Sequence, residues 1–216
     1  MNGAFQTIVA DPPWPVRMTG KMAGRHSGAR ALPYETMTVA EIAALPVGGL
    51  AADGSHLWLW TTNGFLRSAF DVMEAWGFRY LTTVTWIKPS GYGPWFASTT
   101  QHVLFGYRGR CVFPLGRYRP THFTASPKRK HSRKPDEFYD LVRSVSAEPR
   151  IDLFNRREIE GFTGWGAESP SAFQWPAIGP TEDRRMPEGV DSRSRATDVG
   201  NPNPSRAVGE TGQEKP

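Results

Sequence analysis

Cysteine is nearly absent from this chain: its 216 residues contain one, Cys111. A lone thiol excludes an internal disulfide framework and a cysteine-rich zinc site, and it suits a reducing compartment. We read Cys111 as a buried spectator, since no Cys/His catalytic pattern surrounds it. Long apolar runs are also missing. Stretches such as residues 103–105 fall far short of the roughly 18 apolar residues a membrane span requires. No basic segment precedes the apolar run at residues 5–10, so no secretory signal is expected. His26, His102, His122 and His131 lack ligand spacing with acids or thiols, and no metal is expected. These absences point to a soluble, cytoplasmic protein. Acid is the most unevenly distributed residue type. No Asp or Glu occurs between Glu74 and Asp136, whereas eleven cations do: Arg79, Lys88, Arg108, Arg110, Arg117, Arg119, Lys128, Arg129, Lys130, Arg133 and Lys134.

A one-sided field of this length is the footprint of a surface that meets phosphate backbones, although a solvated basic face would look the same. Tyr92, Trp95, Phe96, Tyr107, Tyr118 and Phe123 are interleaved with the cations, and bases stack on such rings. Hydrophobic residues make up 38% of the chain and it holds eight Trp, enough to bury a core in one domain of ordinary size. That domain is expected over residues 1–168. From residue 169 onward seven prolines, abundant Gly, Ser and Arg and few large apolar residues predict a disordered tail without catalytic duty.

Local patterns place the elements. Residues 5–10 read as a buried strand that stops at Asp11-Pro12-Pro13, and residues 15–33 as a mobile loop. Thr38 and Glu41 form a capping-box pattern that opens a short helix ending before Pro46. Residues 56–60 are a second strand. Asn63 is expected to cap a helix with apolar residues at helical spacing from Phe65 to Trp76, closed by Gly77. Strands follow at 80–87 and 102–107, the latter with 111–113 as a candidate partner. Pro135 is expected at the first position of a helix to about Val145, and residues 150–154 form a last strand. Strands that are apolar throughout and separated by helices predict an α/β fold with a parallel or mixed sheet covered on both faces. Such sheets bind ligands at the carboxyl ends of their strands, where Asp11 falls.

The sharpest feature is Asp11-Pro12-Pro13-Trp14. Two prolines fix two φ angles and remove two donors, leaving a carboxylate, carbonyl acceptors and an aromatic plane. Asp11 and the Pro12 carbonyl can each accept one N–H of an exocyclic amine while Trp14 or a neighbouring ring stacks on the base. Positioning then supplies most of the rate. A plain turn after a strand remains the bland alternative.

The ordered set IVADPPW (8–14), LPYETM (32–37), HLWLWT (56–61), WGF (76–78), TWIK (85–88), HVLFG (102–106), HSRKPDEFY (131–139), IDLFNR (151–156) and GWGAE (164–168) resembles the MT-A70 family of S-adenosylmethionine-dependent adenine N6-methyltransferases. The resemblance implies a Rossmann-like class I methyltransferase sheet with helices on both faces and a permuted motif order, catalytic motif first and cofactor motif last. It implies that Asp11, Pro12, Pro13 and Trp14 hold the target amine. Asp11, Lys134, Arg156 and Glu168 are the implied contacts of S-adenosyl-L-methionine, with Lys134 paired to its carboxylate and Glu168 accepting from its ribose. Ala167 replaces the family's usual Asn, which puts one ribose hydrogen bond in question. Tyr34, at the adenine entrance, and Lys88, Arg108 and Arg110 are the expected substrate contacts. The bland alternatives are that Lys134 is one more solvated charge in a basic run and that Arg156 and Glu168 make a surface pair. Trp58, Trp60 and Trp86 are assigned to core packing. The expected activity is methyl transfer to N6 of adenine in a polynucleotide, with a flipped or single-stranded base and DNA preferred as partner. RNA methylation, cytosine N4 or small-amine methylation, and a non-catalytic nucleic-acid-binding subunit are the alternatives; oligomeric state is left open.

Overall fold

A computed structural model describes residues 4–16, 35–91, 95–113, 119–126, 133–170 and 173–175. Tyr34, His26, His131, Lys128 to Lys130 and most of the expected loop at 15–33 lie outside the described residues, as does the chain from 176 onward.

Seven strands form one sheet in the order β5-β3-β4-β2-β1-β6-β7. They are β1 (Phe5–Ala10), β2 (Ala51–Thr61), β3 (Arg79–Ile87), β4 (Thr100–Tyr107), β5 (His122–Thr124), β6 (Arg150–Leu153) and β7 (Thr163–Trp165). β1 pairs in parallel with β2 and β6, β6 with β7, and β3 with β5, whereas β4 runs antiparallel to both β2 and β3. Six strands therefore end at one edge of the sheet, and β4 starts there.

Both faces are covered, which explains the near-continuous apolar strands. Ile8, Leu57, Leu59, Leu104 and Ile151 face α1 (Val39–Ala44) and α2 (Leu66–Ala75). Their neighbours Val9, Trp58, Val103 and Phe105 face α3 (Asp136–Val145). Trp58, Trp60 and Trp86 are core residues as expected, each under 5% exposed. The Thr38–Glu41 capping box is formed: the Thr38 hydroxyl accepts from Glu41 N at 3.2 Å and Glu41 accepts from Thr38 N at 2.7 Å.

Several local expectations give way to tertiary pairing. Residues 111–113 form no strand; the edge position beside β3 is taken by β5. β7 has only three residues and escapes pattern reading. Asn63 does not cap α2, because its side chain bonds Thr100 (3.2 Å) and His102 (2.7 Å). It opens a 3-10 turn (Asn63–Phe65) instead. Pro135 is the N-cap of α3 rather than its first turn. Cys111 is half-buried, not buried. Packing also continues past residue 168. The ring of Phe173 meets Phe5 edge-on at 5.6 Å and Trp175 meets Trp165 at 4.6 Å. No helix among the described residues is long and apolar enough to cross a membrane.

Candidate active site

β1 sits mid-sheet, with β2 from the following chain on one side and β6 from the far end of the chain on the other. Ala10 is level with both Leu59 and Leu153, so the three strands end together. The backbone N–H of Asp11 is tied to Leu153 O at 3.3 Å. Chain directions diverge at this point, and a crevice opens above the carboxyl ends. A cavity of about 270 Å³ occupies it, lined by Asp11, Trp60, Lys134, Tyr139, Asp152, Asn155, Arg156, Arg157 and Glu168 among others.

The structure therefore brings Asp11, Lys134, Arg156 and Glu168 to one wall. Lys134 Nζ lies 3.0 Å from Asp11 Oδ1 and 4.4 Å from the centroid of the Trp60 ring. The pair stands at the cavity wall, with the Asp11 side chain 32% exposed. Lys134 is thus no solvated charge. The Arg156–Glu168 pair is looser, with Nε and Oε1 3.9 Å apart.

Pro12 and Pro13 do carry the chain away from β1, but their carbonyls are partly committed. Pro12 O accepts from Trp14 N at 2.8 Å and Pro13 O from Met37 N at 2.9 Å. Each keeps a second lone pair. Trp14 departs from the expected role. Its ring is 4% exposed, stacks on Phe65 and donates its indole N–H to Trp60 O at 3.0 Å. A ring so enclosed braces the loop and presents no face to a base.

Of the expected substrate contacts, Lys88 reaches the carboxyl edge and borders a second cavity of about 620 Å³ with Pro15, Val16, Asn63, Thr100 and Gln101. Burial and the neighbouring Lys134 charge push the Lys88 ammonium below its ordinary value. Arg108 and Arg110 are misplaced in the expectation. They follow β4, which runs against its neighbours, so Tyr107 is level with His56 in the middle of β2 rather than with its carboxyl end. Arg108 instead donates to Gly48 O, far from the crevice.

Sequence reasoning missed a buried polar unit on the cavity wall. Asp152 is 3% exposed and its Oδ2 accepts from Tyr139 Oη and Asn155 Nδ2, both at 2.9 Å. Burial raises its carboxyl to about 6, against the two hydrogen bonds. Burial likewise pushes the Tyr139 hydroxyl well above its usual range, with Asp152 adding to the effect. The available signal was an acid flanked by Ile151 and Leu153 in a buried strand, since buried carboxylates are rare unless partnered. Gln101 and Asn155 gave no such signal. Phe154, on the same wall, has φ 63, a left-handed conformation unusual for an aromatic residue and of the kind found at functional sites.

A mixed seven-stranded sheet covered by helices, with the crevice at its switch point, defines a Rossmann-like methyltransferase. The particular family follows from comparison: the MT-A70 family model matches residues 5–168, and the chain belongs to that family. The chain is similar to the probable N(6)-adenosine-methyltransferase MT-A70-like of Oryza sativa subsp. japonica, 30% identical over 76% of this chain and 22% of that protein. It is 28% identical to the type II methyltransferase M.MunI of Mycoplasma sp over 84% of this chain and 85% of that protein. It is also 28% identical to the human N(6)-adenosine-methyltransferase catalytic subunit METTL3, over 71% of this chain and 26% of that one. The chain thus spans about a quarter of the rice and human proteins and most of the Mycoplasma one.

MT-A70 methyltransferases use S-adenosyl-L-methionine. The cavity's donor set fits it. Lys134, Arg156 and Arg157 offer cations for a carboxylate, while Asp11, Asp152 and Glu168 offer acceptors for an ammonium and a ribose diol. The buried Trp60 indole N–H has no hydrogen-bond partner among the described residues.

Proposed function

We propose that this chain transfers a methyl group from S-adenosyl-L-methionine to N6 of adenine in a polynucleotide, with DNA preferred over RNA. The observation that carries the reading is the position of Asp11. It lines one cavity with Lys134, and the chain that follows it, at Pro15 and Val16, lines another. The first cavity would take the cofactor and the second the target nucleotide, with the Asp11–Lys134 pair where they meet. Lys134 also reaches Gln101, on the wall of the second cavity, at 3.4 Å.

The cofactor, when bound, supplies an electrophilic methyl group on a sulfonium. The chain's own residues hold the partner amine. Lys134 engages Oδ1 of Asp11, which leaves Oδ2 to accept one amine N–H, and Pro12 O, which keeps a second lone pair beside its bond from Trp14 N, would accept the other. The Lys134 ammonium, backed by the Trp60 ring, fixes the rotamer of Asp11 and neutralises its charge. Arg156 and Glu168 would hold the cofactor's polar ends. Trp14 and its Phe65 partner keep the diproline turn in register, and a base held in this way must be out of its stack.

The preference for DNA rests on coverage: the chain matches the type II methyltransferase nearly end to end, but only about a quarter of the adenosine methyltransferases. A cytoplasmic location belongs to the same reading. Incubation with labelled cofactor and mixed-sequence oligodeoxynucleotides or oligoribonucleotides, followed by nucleoside mass spectrometry, tests it. N6-methyldeoxyadenosine is the expected product. Label in the ribonucleotide alone moves the substrate to RNA, and label on cytosine, or none at all, refutes the reading.

A further inference from the structure

Among the described residues the two most exposed aromatics are adjacent: Trp95 is 91% and Phe96 88% exposed. Both belong to the excursion between β3 and β4, and its neck is closed tightly. Lys88 N donates to Thr99 O at 2.7 Å, and Thr99 N to Ala97 O at 2.8 Å. At Gly91 a Cβ would lie 2.4 Å from the carbonyl carbon and oxygen of Ser98. Only glycine permits that approach, so the chain is pinched there and residues 95 and 96 are carried outward. The neck residues Lys88, Ser98 and Thr100 form the rim of the 620 Å³ cavity that begins at Pro15. Val16, 44% exposed, faces the same cavity.

We infer that Trp95 and Phe96 are a stacking platform for nucleobases next to the target nucleotide. Charge complementarity selects this occupant. The platform lies in the acid-free interval between Glu74 and Asp136, and the Lys88 and Lys134 ammonium groups stand at or near its neck. A polyanion is drawn to that field, whereas an apolar protein partner gains nothing from it. Every base offers a π-face, so such rings bind without reading sequence. Stacking also requires an unpaired face, so the favoured substrate is single-stranded or locally opened around the target.

The inference rests on the proposed function, and the test separates the two. Fluorescence anisotropy is measured for the full chain with a labelled single-stranded oligodeoxynucleotide holding one adenine, and with a copy carrying abasic sites on both sides of it. Stacking is worth about 1–3 kcal/mol per base, so W95A/F96A should lose about 5- to 150-fold in affinity for each base stacked. That loss should largely vanish on the abasic copy, because the two changes remove the same contact. S-adenosylhomocysteine binding, measured by calorimetry, should be unchanged, which reports an intact fold. Gly91→Ala keeps both rings but forces the neck apart, and it too should weaken binding of the intact strand. Wild-type affinity in W95A/F96A, or an equal loss on both oligonucleotides, overturns the platform while leaving the proposed function standing. So does a variant that changes only the sedimentation of the protein, which would make the rings a contact between copies of the chain. A wild-type chain that binds neither oligonucleotide removes the proposed function itself.

Discussion

Asp152→Asn should stabilise this protein, by an amount that grows with pH. The carboxyl lies in a strand between Ile151 and Leu153, is 3% exposed, and is raised from 3.8 to about 6 by burial. The folded state therefore binds the proton more tightly than the unfolded chain. Stability is complete below the unfolded value, is lost progressively as pH rises from 3.8 to about 6, and stays lost above that. A shift of this size corresponds to roughly 3 kcal/mol carried as a burden at neutral pH. Tyr139 from α3, Asp11 from the turn after β1 and Arg157 from the segment after β6 also act on this carboxyl. Their effects are already contained in the raised value. Asparagine has nearly the same shape, retains one oxygen acceptor and cannot ionise. Relative to wild type, its advantage should grow by about 1.4 kcal/mol between pH 5 and pH 8, a change of roughly 3–6 °C in the melting-temperature difference. Differential scanning calorimetry of both proteins at the two pH values measures this. Titrating groups that do not act on Asp152 cancel in the difference. Melting temperatures that stay a constant interval apart would show that Asp152 is already ionised in the fold at pH 5, so that burial does not raise its carboxyl, and the reasoning would fail. Because the same carboxyl faces the cofactor cavity, the stabilised variant should bind S-adenosylmethionine more weakly.

Asp11→Ala should abolish turnover while largely preserving cofactor affinity; equal loss of both would make the residue structural. Lys134→Ala should weaken calorimetric cofactor binding and also lower turnover, because Asp11 loses the partner 3.0 Å away; unchanged values in both assays would count against the pair. Arg110→Ala should leave oligonucleotide affinity within about twofold, since one distant exposed charge contributes little, whereas Lys88→Ala should reduce it and flatten the salt dependence. A stop after Trp175 should leave folding and activity intact. A stop after Pro170 removes two aromatic contacts worth about 0.5–1.5 kcal/mol each, and more with their burial, so the melting temperature should drop. Equal melting of the two truncations would mean that Phe173 and Trp175 only rest on the surface.

Elements that local physics decides are legible in the sequence. The capping box at Thr38 forms because both of its bonds lie within four residues. The buried strands were visible because a sheet covered on both faces favours apolar side chains on both sides of a strand. Asn63 misled because its cap-like character was outweighed by His102, a partner 39 positions away that arrives only when β4 docks. Phe173 and Trp175 misled in the opposite sense: a proline-rich composition hid two rings that find partners on β1 and β7.

The sequence alone determined the class of fold, the carboxylate at the end of the first strand and the family of methyltransferases to which the chain belongs. Each of these is encoded in short runs whose chemistry does not depend on distant neighbours. Tertiary structure decided which cations face the crevice. Lys134 and Arg110 look alike in a basic stretch, but the reversal of β4 carries Arg110 away from the carboxyl edge, whereas Lys134, just ahead of α3, is brought to it. It also turned Trp14 inward and closed Tyr139 and Asn155 around Asp152, because side-chain environment is a property of the assembled sheet and not of the order of residues along the chain.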